Sequence, residues 1–91
     1  MRVLRIERDH TITEHDMETE DWMTSDISWD AKEIGAGHDV WVDDEGLFSP
    51  VSTIATVGGQ KVPLPAYVLG CNGERTVGAT MSIRALREMI A

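Results

Sequence analysis

The pattern of apolar and polar positions is mostly that of short strands separated by turn residues. In residues 1–7, Val3, Leu4 and Ile6 are β-compatible, and Arg2 and Arg5 break the run. Residues 11–15 (Thr-Ile-Thr-Glu-His) form a second such stretch, and Arg8-Asp9-His10 between them reads as a turn. The pair predicts an N-terminal hairpin. Residues 39–42 (Asp-Val-Trp-Val) read as a strand, and Asp43-Asp44-Glu45-Gly46 as a turn into Leu47-Phe48. Residues 66–71 are a further strand. Asn72-Gly73 is a strong turn pair, and residues 75–77 begin a return strand.

Two periods compete between residues 16 and 34. Met23, Ile27, Ala31 and Ile34 fit a helix, whereas Ile27, Trp29 and Ala31 fit a strand. The reading adopted is a short helix over residues 17–24, with Glu18, Glu20 and Asp21 in its first turns where the dipole favours acids, then a strand from about Ile27. Gly35-Ala36-Gly37 is a break. Residues 50–57 are ambiguous and accommodate one helical turn, Gly58-Gly59-Gln60 reads as flexible, and Pro63-Leu64-Pro65 is extended.

The C-terminal stretch predicts a helix. Ser82 is a suitable N-cap, and Met81 before it is placed to pack on Leu86. Ile83, Leu86 and Ile90 then make one apolar stripe, flanked by Ala85 and Met89. The expected fold is α+β. A small, mostly antiparallel sheet of four to six short strands carries the C-terminal helix on one face, and residues 1–91 form a single domain.

Length and composition then limit the function. Ninety-one residues with 42% apolar and 26% charged positions describe an ordinary globular chain with one modest core. Trp22, Trp29 and Trp41 supply much of its apolar area, since there is one Phe and one Tyr. No apolar run approaches the roughly 20 residues of a membrane span, and the first residues carry no signal-peptide pattern. The lone Cys71 excludes an internal disulfide and a multi-cysteine zinc site.

Charge is the most informative property. The net charge of −8 disfavours direct binding to nucleic acid or to an anionic membrane. Fourteen of the sixteen acids fall in residues 7–45, against Arg8 and Lys32 alone. The C-terminal half is mildly basic.

Candidate chemistry is sparse. His10, His15 and His38 have acids nearby, but zinc needs ligands at fixed spacing on rigid elements. His10 and His15 are five apart across a turn and a strand, so their side chains tend to opposite sides, and the three are expected to be surface histidines among solvating acids. Asp43-Asp44-Glu45 lacks the alternation of a calcium loop and reads as a solvated turn. Cys71 has no partner base at recognisable spacing and reads as a structural or turn-adjacent cysteine. Gly58-Gly59 and the glycines around Cys71 match no dinucleotide fingerprint or P-loop. No catalytic residue, cofactor or metal is therefore expected, and the chain is not expected to be an enzyme.

Two readings of the acidic block stay open: a solvated outer face, or a row of carboxylates that docks on a basic protein cleft as a phosphate backbone would. Tryptophans inside the block would anchor such a contact if they face the partner. The candidate partner-binding residues are Glu18, Glu20, Asp21, Trp22, Asp26 and Trp29.

The order Val40-Trp41-Val42-Asp43-Asp44-Glu45-Gly46-Leu47, an irregular stretch, the strand Pro65-Ala66-Tyr67-Val68-Leu69-Gly70, a turn and a last helix resembles a small domain family of unknown function from bacteriophages and mobile elements. The likeness spans residues 39–90. It implies a phage accessory protein acting on a host system, and it brings no catalytic residues. The expected role is binding and modulation of a host protein in the host cytoplasm, for takeover or anti-defence. The alternatives are a module that sequesters a small molecule or nucleotide, and an acidic structural protein with no inhibitory role.

Overall fold

Residues 1–16, 29–43, 53–73 and 75–90 are described by the structure, a computed structural model. Eight strands and one helix follow in the order β1 (Arg2–Ile6), β2 (Ile12–Asp16), β3 (Trp29–Gly35), β4 (His38–Asp43), β5 (Thr53–Val57), β6 (Gln60–Leu64), β7 (Ala66–Asn72), β8 (Arg75–Val77) and α1 (Ile83–Met89).

The N-terminal hairpin forms as the alternation predicts, with Arg2 opposite Asp16 and Ile6 opposite Ile12. Its turn is closed by the Glu7 N–H donating to the Thr11 carbonyl at 2.8 Å and the His10 N–H to the Glu7 carbonyl at 2.9 Å. Asp9 accepts from the Thr11 N–H at 3.0 Å, and bonding to Thr11 holds its carboxyl below the usual range.

β7 is central. It pairs with β1 on one side and β4 on the other, giving the antiparallel order β2-β1-β7-β4-β3, and β8 pairs with the far end of β7. Central strands must be apolar on both faces, and β7 is: Ala66 and Val68 enter one core, while Leu69 enters the other with Tyr67 packed against it. The competition in residues 29–35 resolves as strand, because Trp29 to Glu33 pair residue by residue with β4. The predicted helix over residues 17–24 and the turn at residues 44–46 lie outside the described residues.

The second layer departs from expectation. Residues 53–57 are a strand and not a helical turn, and Gly58-Gly59 is the tight turn of a hairpin. Thr53, Ile54, Thr56 and Val57 are β-branched and stiff at χ1, which favours extended backbone. Gly58 and Gly59 have φ of 55° and 84°, the paired positive values that a two-residue hairpin turn needs. The large sheet, with six strands, is within the expected four to six, and the β5–β6 hairpin is a separate two-stranded sheet beyond it.

The main core lies between the large sheet and this second layer. Leu4, Ile6, Ile12, Ile34, Val40, Val42, Ala66 and Val68 from the sheet meet Ala55, Val57, Val62 and Leu64 of the hairpin and Leu86 of α1. The Ser82 hydroxyl accepts from the Ala85 N–H at 3.0 Å, so the predicted N-cap is present, and Met81 is buried in the same cluster as Leu86. The far end of α1 is tied to the hairpin by the Gly58 N–H donating to the Met89 carbonyl at 2.9 Å. No helix among the described residues is long and apolar enough to cross a membrane.

Candidate interaction surface

The opposite face of the large sheet carries a second, smaller cluster. Val3 and Leu69 are buried there, with Met1, Trp29, Trp41 and Tyr67 packed on them half-buried. Register explains the grouping. Tyr67 sits opposite Trp41 on β4 and opposite Arg5 on β1, and residues two apart on a strand share a face. The Trp29 and Tyr67 rings meet edge-on, with centroids 5.5 Å apart and planes at 72°. The Arg5 guanidinium lies over the Tyr67 ring, 5.5 Å from its centroid, and Arg5 Nε is 3.1 Å from Glu7 Oε1. Glu7 also accepts from the Thr13 hydroxyl at 3.1 Å.

Carboxylates flank these rings on the β3–β4 side. Asp39 and Asp43 stand two positions to either side of Trp41, Glu33 pairs with Asp39, and Trp29 pairs with Asp43. The result is an aromatic row between acids, suited to cationic and amphipathic side chains. Of the sequence candidates, Trp29 is brought into this row. Glu18, Glu20, Asp21, Trp22 and Asp26 lie outside the described residues.

Trp41, Tyr67 and Arg5 were not among the sequence candidates. Each is flanked along its strand by residues of the opposite face, as in Val40-Trp41-Val42 and Ala66-Tyr67-Val68, and that alternation is the signal that places them together.

The three histidines separate. His10 is an exposed turn residue with φ of 71°, and His15 on β2 pairs through Nε2 with the Thr13 hydroxyl at 2.8 Å. His38 is not the expected surface histidine: it is 3% exposed, because it shares the inward parity of Val40 and Val42 on β4. Among the described residues no group of three His, Cys, Asp or Glu side chains is placed to hold a metal. Cys71 is the penultimate residue of β7 and is exposed, and its thiol donates to the Gly73 carbonyl at 3.0 Å. Local desolvation, and then Asp39 with Glu33 beyond it, pushes this thiol above its ordinary range.

In class the chain is an α+β protein, predominantly antiparallel sheet with one short C-terminal helix. Comparison with protein-family models, with curated proteins and with solved structures gives no match.

Proposed function

We propose that this is a small acidic binding protein that docks on a basic protein surface and modulates its partner, without chemistry of its own. The observation that carries the reading is the row of Trp29, Trp41 and Tyr67 set between Glu33, Asp39 and Asp43. Trp29 and Trp41 stand in residues 7–45, the stretch of chain that holds fourteen acids, among them Glu18, Glu20, Asp21 and Asp26. Long-range charge speeds encounter with a basic surface, and large rings supply the contact that survives desolvation. The resemblance of residues 39–90 to a phage domain family supports a host protein, in the host cytoplasm, as that partner.

The test is capture from bacterial lysate followed by affinity measurement on the captured protein at several salt concentrations. Neutralising Glu18, Glu20 and Asp21 together is expected to leave the fold intact, weaken binding and flatten its salt dependence. Replacing Arg84 and Arg87 on α1 should do much less. Unchanged affinity in the acid variant, with loss in the arginine variant, would place the interface on the other half of the chain and make the acids solubilising decoration.

A further inference from the structure

His38 is the only buried polar or charged residue among the described ones, and its bonds fix which nitrogen carries the proton. Nδ1 lies 2.8 Å from the Ala36 carbonyl, which can only accept, so Nδ1 donates. Nε2 lies 3.0 Å from the Thr80 N–H and 3.2 Å from the Met81 N–H, and backbone N–H groups can only donate. Nε2 therefore accepts two bonds with its lone pair. The ring is held as a single neutral tautomer by backbone groups of two segments, the β3–β4 turn and the stretch that leads into α1.

That stretch is the tether of the helix. Ala79 donates its N–H to the Arg2 carbonyl at 2.8 Å, and Arg2 Nη1 donates to the carbonyls of Ala79 at 3.1 Å and Met81 at 2.6 Å. Ser82 caps α1 immediately afterwards. Arg2 thus engages the carbonyls of this stretch, and His38 engages its N–H groups. A proton on Nε2 would turn an acceptor into a donor aimed at two N–H donors, with only the Thr80 hydroxyl oxygen, 3.5 Å away, able to accept, and would bury a cation beside the segment that Arg2 already grips.

We infer that His38 is an acid-sensitive latch: as neutral imidazole it holds residues 79–81, and through them α1, against the sheet, and protonation at Nε2 releases them. The charged groups around it do not offset a new cation. Gly35 on β3 and Gly70 on β7 are its partners in register and carry no charge. From β1 the neighbouring charge is the like-signed Arg2, whose carboxylate partner is Glu14 on β2. On α1, Arg84 pairs with Glu88 in solvent, and Arg87 is exposed. The arrangement is a conformational device by which acidification loosens residues 79–81 and the start of the C-terminal helix, whose far end stays tied through Leu86 and the Gly58–Met89 bond.

Amide hydrogen exchange followed by NMR on the whole chain tests it, between about pH 8 and pH 5, where histidine ordinarily changes charge. After correction for intrinsic rates, protection of Thr80, Met81 and α1 is expected to fall relative to β7, by up to about tenfold per pH unit. The imidazole nitrogen signals should report Nδ1–H at the upper end and take up the second proton together with that loss. In His38→Gln, whose side-chain oxygen can accept the same N–H groups but does not titrate, the pH dependence should vanish. Protonation of His38 with undiminished protection of Thr80 and Met81 would overturn the proposal. So would an equal loss in His38→Gln, which would assign the effect to His10 or His15. Should His38→Gln fail to fold, the imidazole signals of the unaltered chain decide alone.

Discussion

Gly58 sits against Ile34 so closely that a Cβ on the glycine would lie 2.9 Å from both the Ile34 carbonyl oxygen and its Cβ. This contact joins the turn of the β5–β6 hairpin to the edge strand of the large sheet. Two independent constraints meet there, since φ at Gly58 is also positive. Gly58→Ala is therefore expected to destabilise the fold by about 1–3 kcal/mol, through strain and displacement of the hairpin. Urea unfolding measures it. Gly59, with positive φ and open space around it, supplies the control, and Gly59→Ala should cost less.

Leu86 is fully buried, and α1 contributes it to the main core between sheet and hairpin. Leu86→Ala should cost roughly 2–4 kcal/mol, the usual loss for a buried leucine whose cavity does not collapse. A loss below about 0.5 kcal/mol in a denaturant titration would mean that the helix is peripheral.

Ser82 isolates the local contribution of the same helix. Its hydroxyl satisfies the Ala85 N–H without touching the core, so Ser82→Ala should cost about 1 kcal/mol and Ser82→Asp should cost little. Thermal unfolding of the pair separates capping from packing, because only the first is restored by a carboxylate.

What was legible in the sequence was local. The hairpins at residues 2–16 and 66–77 declare themselves by alternation and turn residues, and Ser82 with Leu86 declares the helix. The second hairpin was hidden because residues 53–57 suit a helical turn as well as a strand on their own, and only pairing with residues 60–64 distinguishes the two. His38 was misplaced for a related reason. Its chain neighbours Gly37 and Asp39 look solvated, yet its inward position follows from the parity of Val40 and Val42, and its partners Thr80 and Met81 are 42 and 43 residues away. The aromatic row was half visible. Trp29 was singled out from the acids around it, whereas Trp41 and Tyr67 join it only through the β4–β7 register.

Cys71 gives a prediction with a definite sign. The thiol is exposed, so access does not limit its reaction, and the controlling quantity is the fraction present as thiolate. Desolvation at the strand end disfavours the charged form, the Asp39 carboxylate repels it, and Glu33 adds to the repulsion. All three act in the same direction, so the thiolate fraction at about pH 8 is below that of a free cysteine, which is already partly ionised there. Alkylation by iodoacetamide should accordingly be slower than for a cysteine in a short peptide, and should keep rising at pH values where the peptide has reached its plateau. Asp39→Asn removes the nearer charge and should speed the reaction, with Glu33→Gln doing so to a smaller degree. A rate equal to that of the peptide in the unaltered protein would show that Asp39 does not face the sulfur in solution. It would also weaken the acid-flanked face that the same β4 parity builds around Trp41.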